Sequence, residues 1–174
     1  NLQRNTINSM KFPDAPHSLK MACGENPKRV YGNRGQTPST RMGNIAGYRK
    51  SWIKAEGYLS RLDEYEAKSD EAKELSYKPT RDLELETLAG VLRGDILVHN
   101  HCYRAEEMAM MIDVAKEFDY KITAFHHAVD AYPIADLLSS HNICASLWAD
   151  CWLFQHEAYD MFQATLAIVD HSTT

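Results

Sequence analysis

Between residues 79 and 169 the hydrophobic period switches repeatedly, and few folds accommodate that alternation. Leu83, Leu85, Leu88, Val91 and Leu92 form a helical stripe, opened by Pro79-Thr80 and closed by Gly94. The run 95–99, Asp-Ile-Leu-Val-His, reads as a buried strand, after which Met108, Met111, Ile112, Ala115 and Phe118 return to helical spacing. The unit then repeats, with a strand at 121–125, a helix at 132–140, a third strand at 142–147 and helical spacing over 157–169. Strands separated by helical segments of roughly ten to fifteen residues predict βαβ units and a parallel sheet, open or closed into a barrel. In either case functional groups gather at the C-terminal ends of the strands.

Upstream, residues 1–18 are polar, carry Pro13 and Pro16, and are expected to be an irregular lead-in to a short strand at 18–22. Pro27, Gly32, Gly35 and Pro38 concentrate turn formers over 25–39, which reads as a loop. Ile45, Tyr48, Trp52, Ile53, Ala55, Tyr58, Leu59 and Leu62 then recur at helical spacing, so a long helix is expected over about 40–75, capped by Ser39 or Thr40. Its second half alternates charge and reads as a solvated face. The organisation expected is one domain over 1–174: the lead-in, a helical insertion at 40–75, and βα units over 79–169.

Composition narrows the partners. A chain of 174 residues, 44% hydrophobic and 25% charged, suits one soluble domain, and no apolar run reaches the roughly 20 residues that span a bilayer. With a net charge of -5 and acids mixed among the bases, nucleic acid is not an expected partner. Cys23, Cys102, Cys144 and Cys151 lack CxxC spacing, and reduced thiols are the simpler expectation. The Asn1-Leu2-Gln3-Arg4 start shows no signal pattern and suggests the interior of something longer, so the compartment is not legible, with the cytoplasm as default.

The strand ends carry the histidines. His99 and His101, two apart in Val98-His99-Asn100-His101-Cys102, point to one side of the sheet, and the next strand ends in His126-His127. Neighbouring parallel strands lie about 4.8 Å apart, so imidazoles at their ends can meet at one ion. The residues alone leave a metal site and polar caps on the strand ends about equally open. An HNH-type nuclease reading fails for want of a basic surface.

Three stretches carry a resemblance to the imidazolonepropionase-related branch of the amidohydrolase superfamily. The run 19–32, Leu-Lys-Met-Ala-Cys-Gly-Glu-Asn-Pro-Lys-Arg-Val-Tyr-Gly, resembles that branch's LKMAxGENPKRVYG segment. Val98-His99-Asn100-His101 resembles its fifth-strand histidine motif, and the run 127–132, His-Ala-Val-Asp-Ala-Tyr, its sixth-strand HGTEAY-like motif. The resemblance implies part of a TIM-like (β/α)8 barrel binding one or two divalent ions, zinc foremost, with metal-activated water cleaving a C–N bond in an amide or cyclic amide. It implies His101 and His127 as metal ligands and Lys20 as a strand-end lysine that such enzymes can carbamylate to bridge two ions. His99, His126, Tyr103 and Arg104 become residues that support the ligands or meet substrate, although helix capping fits Tyr103 and Arg104 equally well.

Departures limit the reading. The family's first-strand HxH pair and eighth-strand aspartate are not recognisable: His17 has no HxH partner, Asp170 falls in helical spacing, and Asp150 reads as a loop residue. The expectation is therefore a hydrolase whose full-length parent acts on a small-molecule or peptide-like substrate, with little or no turnover by this chain alone. The alternatives are a non-catalytic barrel fragment that forms homo-oligomers through open sheet edges, or a small metal-binding module. Glu25, Asn26, Lys28 and Arg29 either meet an anionic or peptide-like substrate or fix their loop.

Overall fold

A computed structural model describes residues 6–148, 156–159 and 161–172. Its elements in chain order are α1 (Ile7–Met10), β1 (Ser18–Ala22), α2 (Glu25–Gly32), α3 (Arg41–Glu66), α4 (Asp70–Glu74), α5 (Leu83–Leu92), β2 (Leu97–His101), α6 (Ala105–Glu117), β3 (Ile122–His126), α7 (Ala135–Ser140), β4 (Cys144–Ser146) and α8 (Thr165–Ser172). Short 3₁₀ turns lie at Tyr132–Ile134 and His156–Ala158.

All strand pairs are parallel, and the spatial order is β1-β2-β3-β4. Each strand lies beside the next in sequence, the order of a (β/α) barrel wall; a doubly wound sheet would reverse direction. The fold is α/β, a partial TIM-like barrel. The register Lys20↔His99, Ala22↔His101 and His101↔His126 puts Lys20, His99, His101 and His126 on one face. On the other side, Val98 and Phe125 are fully buried in a core shared with Trp52 and Ala55 of α3, Val91 of α5, and Met108, Met111 and Ile112 of α6.

Several elements differ from expectation. The lead-in contains the short α1, where the Thr6 side chain accepts from the Ser9 N–H. The stretch read as a loop at 25–39 contains α2: Pro27 sits in its first turn, where its missing N–H costs nothing, and Gly24 supplies the positive-φ entry. The long helix ends at Glu66, because Ser69 caps a new helix by accepting from the Ala72 N–H. Helix α5 starts at Leu83 rather than Pro79, since the Asp82 carboxylate accepts from the Glu84 and Leu85 N–H groups. The 157–169 helix is two pieces, a 3₁₀ turn and α8, and Asp170 lies within α8. The strands read at 95–99 and 121–125 run instead over Leu97–His101 and Ile122–His126, which draws His101 and His126 into the sheet. Cys151 and Asp150 lie outside the described residues.

Reduced thiols are also overturned for one pair. Cys23 and Cys102 form a disulfide with Cα atoms 5.3 Å apart, while Cys144 is free and exposed. Ala22 and His101 are register partners, so the next residue of each strand arrives at the same place; 79 residues of separation hid this from spacing rules. Among the described residues no helix is long and apolar enough to cross a membrane.

Candidate metal centre at the strand ends

The backbone first gathers the strand ends. Beyond β1, the Cys23 N–H donates to the His101 carbonyl at 2.8 Å; beyond β2, the Cys102 N–H donates to the His126 carbonyl at 3.2 Å. The Asp130 N–H donates to the Tyr103 carbonyl at 2.9 Å, tying the loops after β2 and β3 together. His127 follows β3 with a left-handed φ of 57°, a sharp exit that brings its ring toward His101 rather than continuing the strand.

Four imidazoles result in one cluster. Ring centroids are 5.1 Å apart for His101 and His127, 5.1 Å for His99 and His126, and 6.2 Å for His126 and His127. His99 Nδ1 and His126 Nε2 share a hydrogen bond of 2.8 Å, so these two rings pair with each other. The Asn26 Nδ2 donates to His101 Nε2 at 2.8 Å, and Trp148 Nε1 donates to His127 Nδ1 at 2.6 Å. Amide and indole N–H groups only donate, so both ring nitrogens present lone pairs.

Electrostatics favour the neutral form of three of these rings, His101, His126 and His127. Burial, followed by the charges of His127, Lys20 and His126, pulls His101 down to about 4. Burial and then Lys20 lower His126 and His127 as well. Burial also lowers Lys20, whose charge acts on all three of these histidines. Neutral imidazoles are the donors a zinc-type ion takes, and the lone pairs at His101 Nε2 and His127 Nδ1 are the ones Asn26 and Trp148 engage here, so an ion would displace those two N–H groups to bind. The residues present fit such an ion as a partial ligand set: among the described residues, no three histidine nitrogens lie within 4.8 Å of one another.

The other expected residues take definite places. Tyr103 packs edge-on against His101 with centroids 4.8 Å apart. Arg104 Nη1 lies 3.2 Å from Asp130 Oδ2, joining the loops that follow β2 and β3. Lys20 stands opposite His99 on the histidine face.

Sequence reasoning missed the grip on the rings. Asn26, from sequence either a substrate contact or a loop anchor, reaches His101 because α2 begins directly after β1. Trp148 carried no signal, since only the turn of the chain after β4 brings it to His127. Behind the strand ends lies a buried acidic group that was also not foreseen. Glu157 Oε1 accepts from the Glu25 N–H at 3.0 Å and from Arg41 Nη2 at 2.8 Å, while Glu107 Oε1 is 3.8 Å from Arg41 Nε. Burial raises both carboxyls above their usual range, with Arg41 opposing.

Likeness to known proteins bears on the family and the fold that carries this cluster. The amidohydrolase tasK of Hapsidospora irregularis is 36% identical over 151 residues, which cover 81% of this chain and 15% of that protein. The crystal structure of an amidohydrolase from Thermotoga maritima MSB8 matches with a TM-score of 0.85 and 31% identity, over 98% of this chain and 43% of that one. The chain thus spans less than half the length of either relative. No family model matches it. A chain that shares over a third of its aligned residues with one amidohydrolase, and nearly its whole path through strands and helices with another, belongs to the amidohydrolase superfamily.

Proposed function

We propose that this chain supplies part of the catalytic wall of a metal-dependent hydrolase that cuts C–N bonds in amides or cyclic amides. The observation that carries the reading is the convergence of neutral His101, His126 and His127 with Lys20 at the C-terminal ends of adjacent parallel strands. His101 and His127 would hold a divalent metal, zinc by its donor preference, and Lys20 would add a bridging ligand as its carbamate. Carbamate formation joins the Lys20 amine to carbon dioxide and releases one proton. Such a metal, when bound, polarises a carbonyl and lowers the pKa of water toward neutrality.

The chain's own residues then have separable tasks. Asn26 and Trp148 hold the lone pairs of His101 and His127, each from an element other than the strand that carries the ring, and would yield those nitrogens to a metal. The His99–His126 hydrogen bond steadies the floor of the cluster, one ring donating to the other. Tyr103 closes one side of His101, and the Arg104–Asp130 pair holds the loops in which Tyr103 and His127 lie.

The test is hydrolysis of a panel of acyl amides, lactams and imides by the protein that carries this chain, before and after chelation. Turnover that falls on chelation, returns with zinc and is lost in His101→Ala supports the reading. Turnover that survives chelation, or that is equal in His101→Ala, refutes it.

A further inference from the structure

Cys23, Cys102 and Glu107 each place one donor atom so that all three lie within 4.8 Å of one another. They come from three elements: the residue after β1, the residue after β2, and the first turn of α6. Their exposures are 2%, 0% and 2%. The carboxylate oxygen Oε2 of Glu107 is buried with no hydrogen-bond partner, which is costly for an anionic acceptor unless something positive meets it. Arg41 does not answer that need fully: its guanidinium lies 2.8 Å from Glu157 and 3.8 Å from the other oxygen of Glu107.

We propose that Cys23, Cys102 and Glu107 form a second cation site, selective for zinc or a similar thiolate-preferring divalent ion, that becomes available when the Cys23–Cys102 disulfide is reduced. The site is separate from the histidine cluster: His101 turns toward His127, whereas Cys102 lies in the apolar core with Cys23 and Met108. Two thiolates and a carboxylate carry enough negative charge to repay the desolvation of a divalent ion.

The backbone is already spaced for both states. A Cα separation of 5.3 Å suits the disulfide, and rotation about the two Cα–Cβ bonds opens the sulfurs to the about 3.8 Å of a tetrahedral zinc dithiolate. Glu157 stands across Gly24 from Glu107: oxygens of both lie within 3.0 Å of the point where a side chain on Gly24 would begin. It offers a further oxygen donor. A dithiol reductant passes two electrons and two protons to the disulfide, giving two thiols and becoming a disulfide itself. Metal binding then releases the two thiol protons to solvent. The same pair of sulfurs therefore either locks the loops covalently or holds them through an ion.

Cobalt(II) is the probe, because thiolate ligation gives a charge-transfer absorption in the near ultraviolet that histidine and carboxylate ligation lack. Wild-type protein is titrated with cobalt oxidised and after reduction by a phosphine, with far-ultraviolet circular dichroism as the control for fold. The expected result is one cobalt per chain giving the band in the reduced, folded protein and none in the oxidised protein. The band should persist in a His101→Ala, His127→Ala double variant, vanish in Cys102→Ser, and need at least about tenfold more cobalt in Glu107→Gln, as loss of a ligand predicts. No band in the reduced wild type, a band that appears only on unfolding, or undiminished affinity in Cys102→Ser or Glu107→Gln overturns the proposal.

Discussion

Helix α3 packs into the core beside the sheet, and Trp52 is where that packing is most easily measured. The indole is 1% exposed, lies against Tyr120 with ring centroids 4.4 Å apart, and shares a cluster with Val98, Ile112 and Phe125. Aromatic side chains bury roughly 150–250 Å², which at about 25 cal/mol per Å² gives an upper bound of about 4–6 kcal/mol. Partial collapse of the cavity brings the expected cost of Trp52→Ala to about 3–5 kcal/mol. One residue on, Ile53 is 61% exposed, and Ile53→Ala should change stability by no more than about 0.5 kcal/mol. Urea unfolding followed by far-ultraviolet circular dichroism measures both. A Trp52→Ala loss below about 1.5 kcal/mol, the ordinary range for a surface or boundary change, would refute the placement of α3. So would equal losses in the two variants.

The remaining perturbations concern the loops behind the strand ends. Glu107 and Glu157 both have folded values raised above the usual 4.5, first by burial, so the folded chain binds more protons than the unfolded one just above that value. Their contribution to stability should be fullest below about pH 4.5 and be lost as pH rises through the folded values, against the opposite slope of the lowered His101, His126 and His127. Glu107→Gln should therefore make urea midpoints rise more steeply, or fall less, from there to neutrality; an unchanged slope would contradict it. Gly24 has φ 77° and ψ −144°, and a side chain there would begin 2.9 Å from Glu157 Oε1. Gly24→Ala should therefore cost at least about 1–3 kcal/mol in thermal or urea unfolding, and a neutral result would count against the close approach of Glu157.

Much of this architecture was legible because period and strand ends are local properties. The bounds of β1 follow from its flanking Pro16 and Gly24, and His99 and His101 share a face because strand side chains alternate. What escaped depended on which local signal wins or on distant neighbours. Pro27 and Gly32 look like breakers until one sees that a helix tolerates proline in its first turn and glycine at its last residue. Asp82 outcompeted Pro79 as a helix start because its carboxylate reaches two N–H groups. Spacing alone does not separate the adjacent His126 and His127, which only the motif resemblance told apart; in the fold the register and the left-handed φ distinguish a ring paired with His99 from one turned to His101. The Cys23–Cys102 pair and the Glu107–Arg41–Glu157 group are products of the sheet's register and of loop packing, with no local spacing to announce them.

Elemental analysis of purified protein decides whether the strand-end histidines hold a metal. Wild type and a His101→Ala, His127→Ala double variant are compared in the oxidised state, where the Cys23–Cys102 sulfurs are engaged with each other. Near-stoichiometric zinc or a similar divalent ion is expected in the wild type, and its loss in the variant. A wild type without metal under metal-replete conditions, or a variant that retains it in full, would refute a metal site at these histidines.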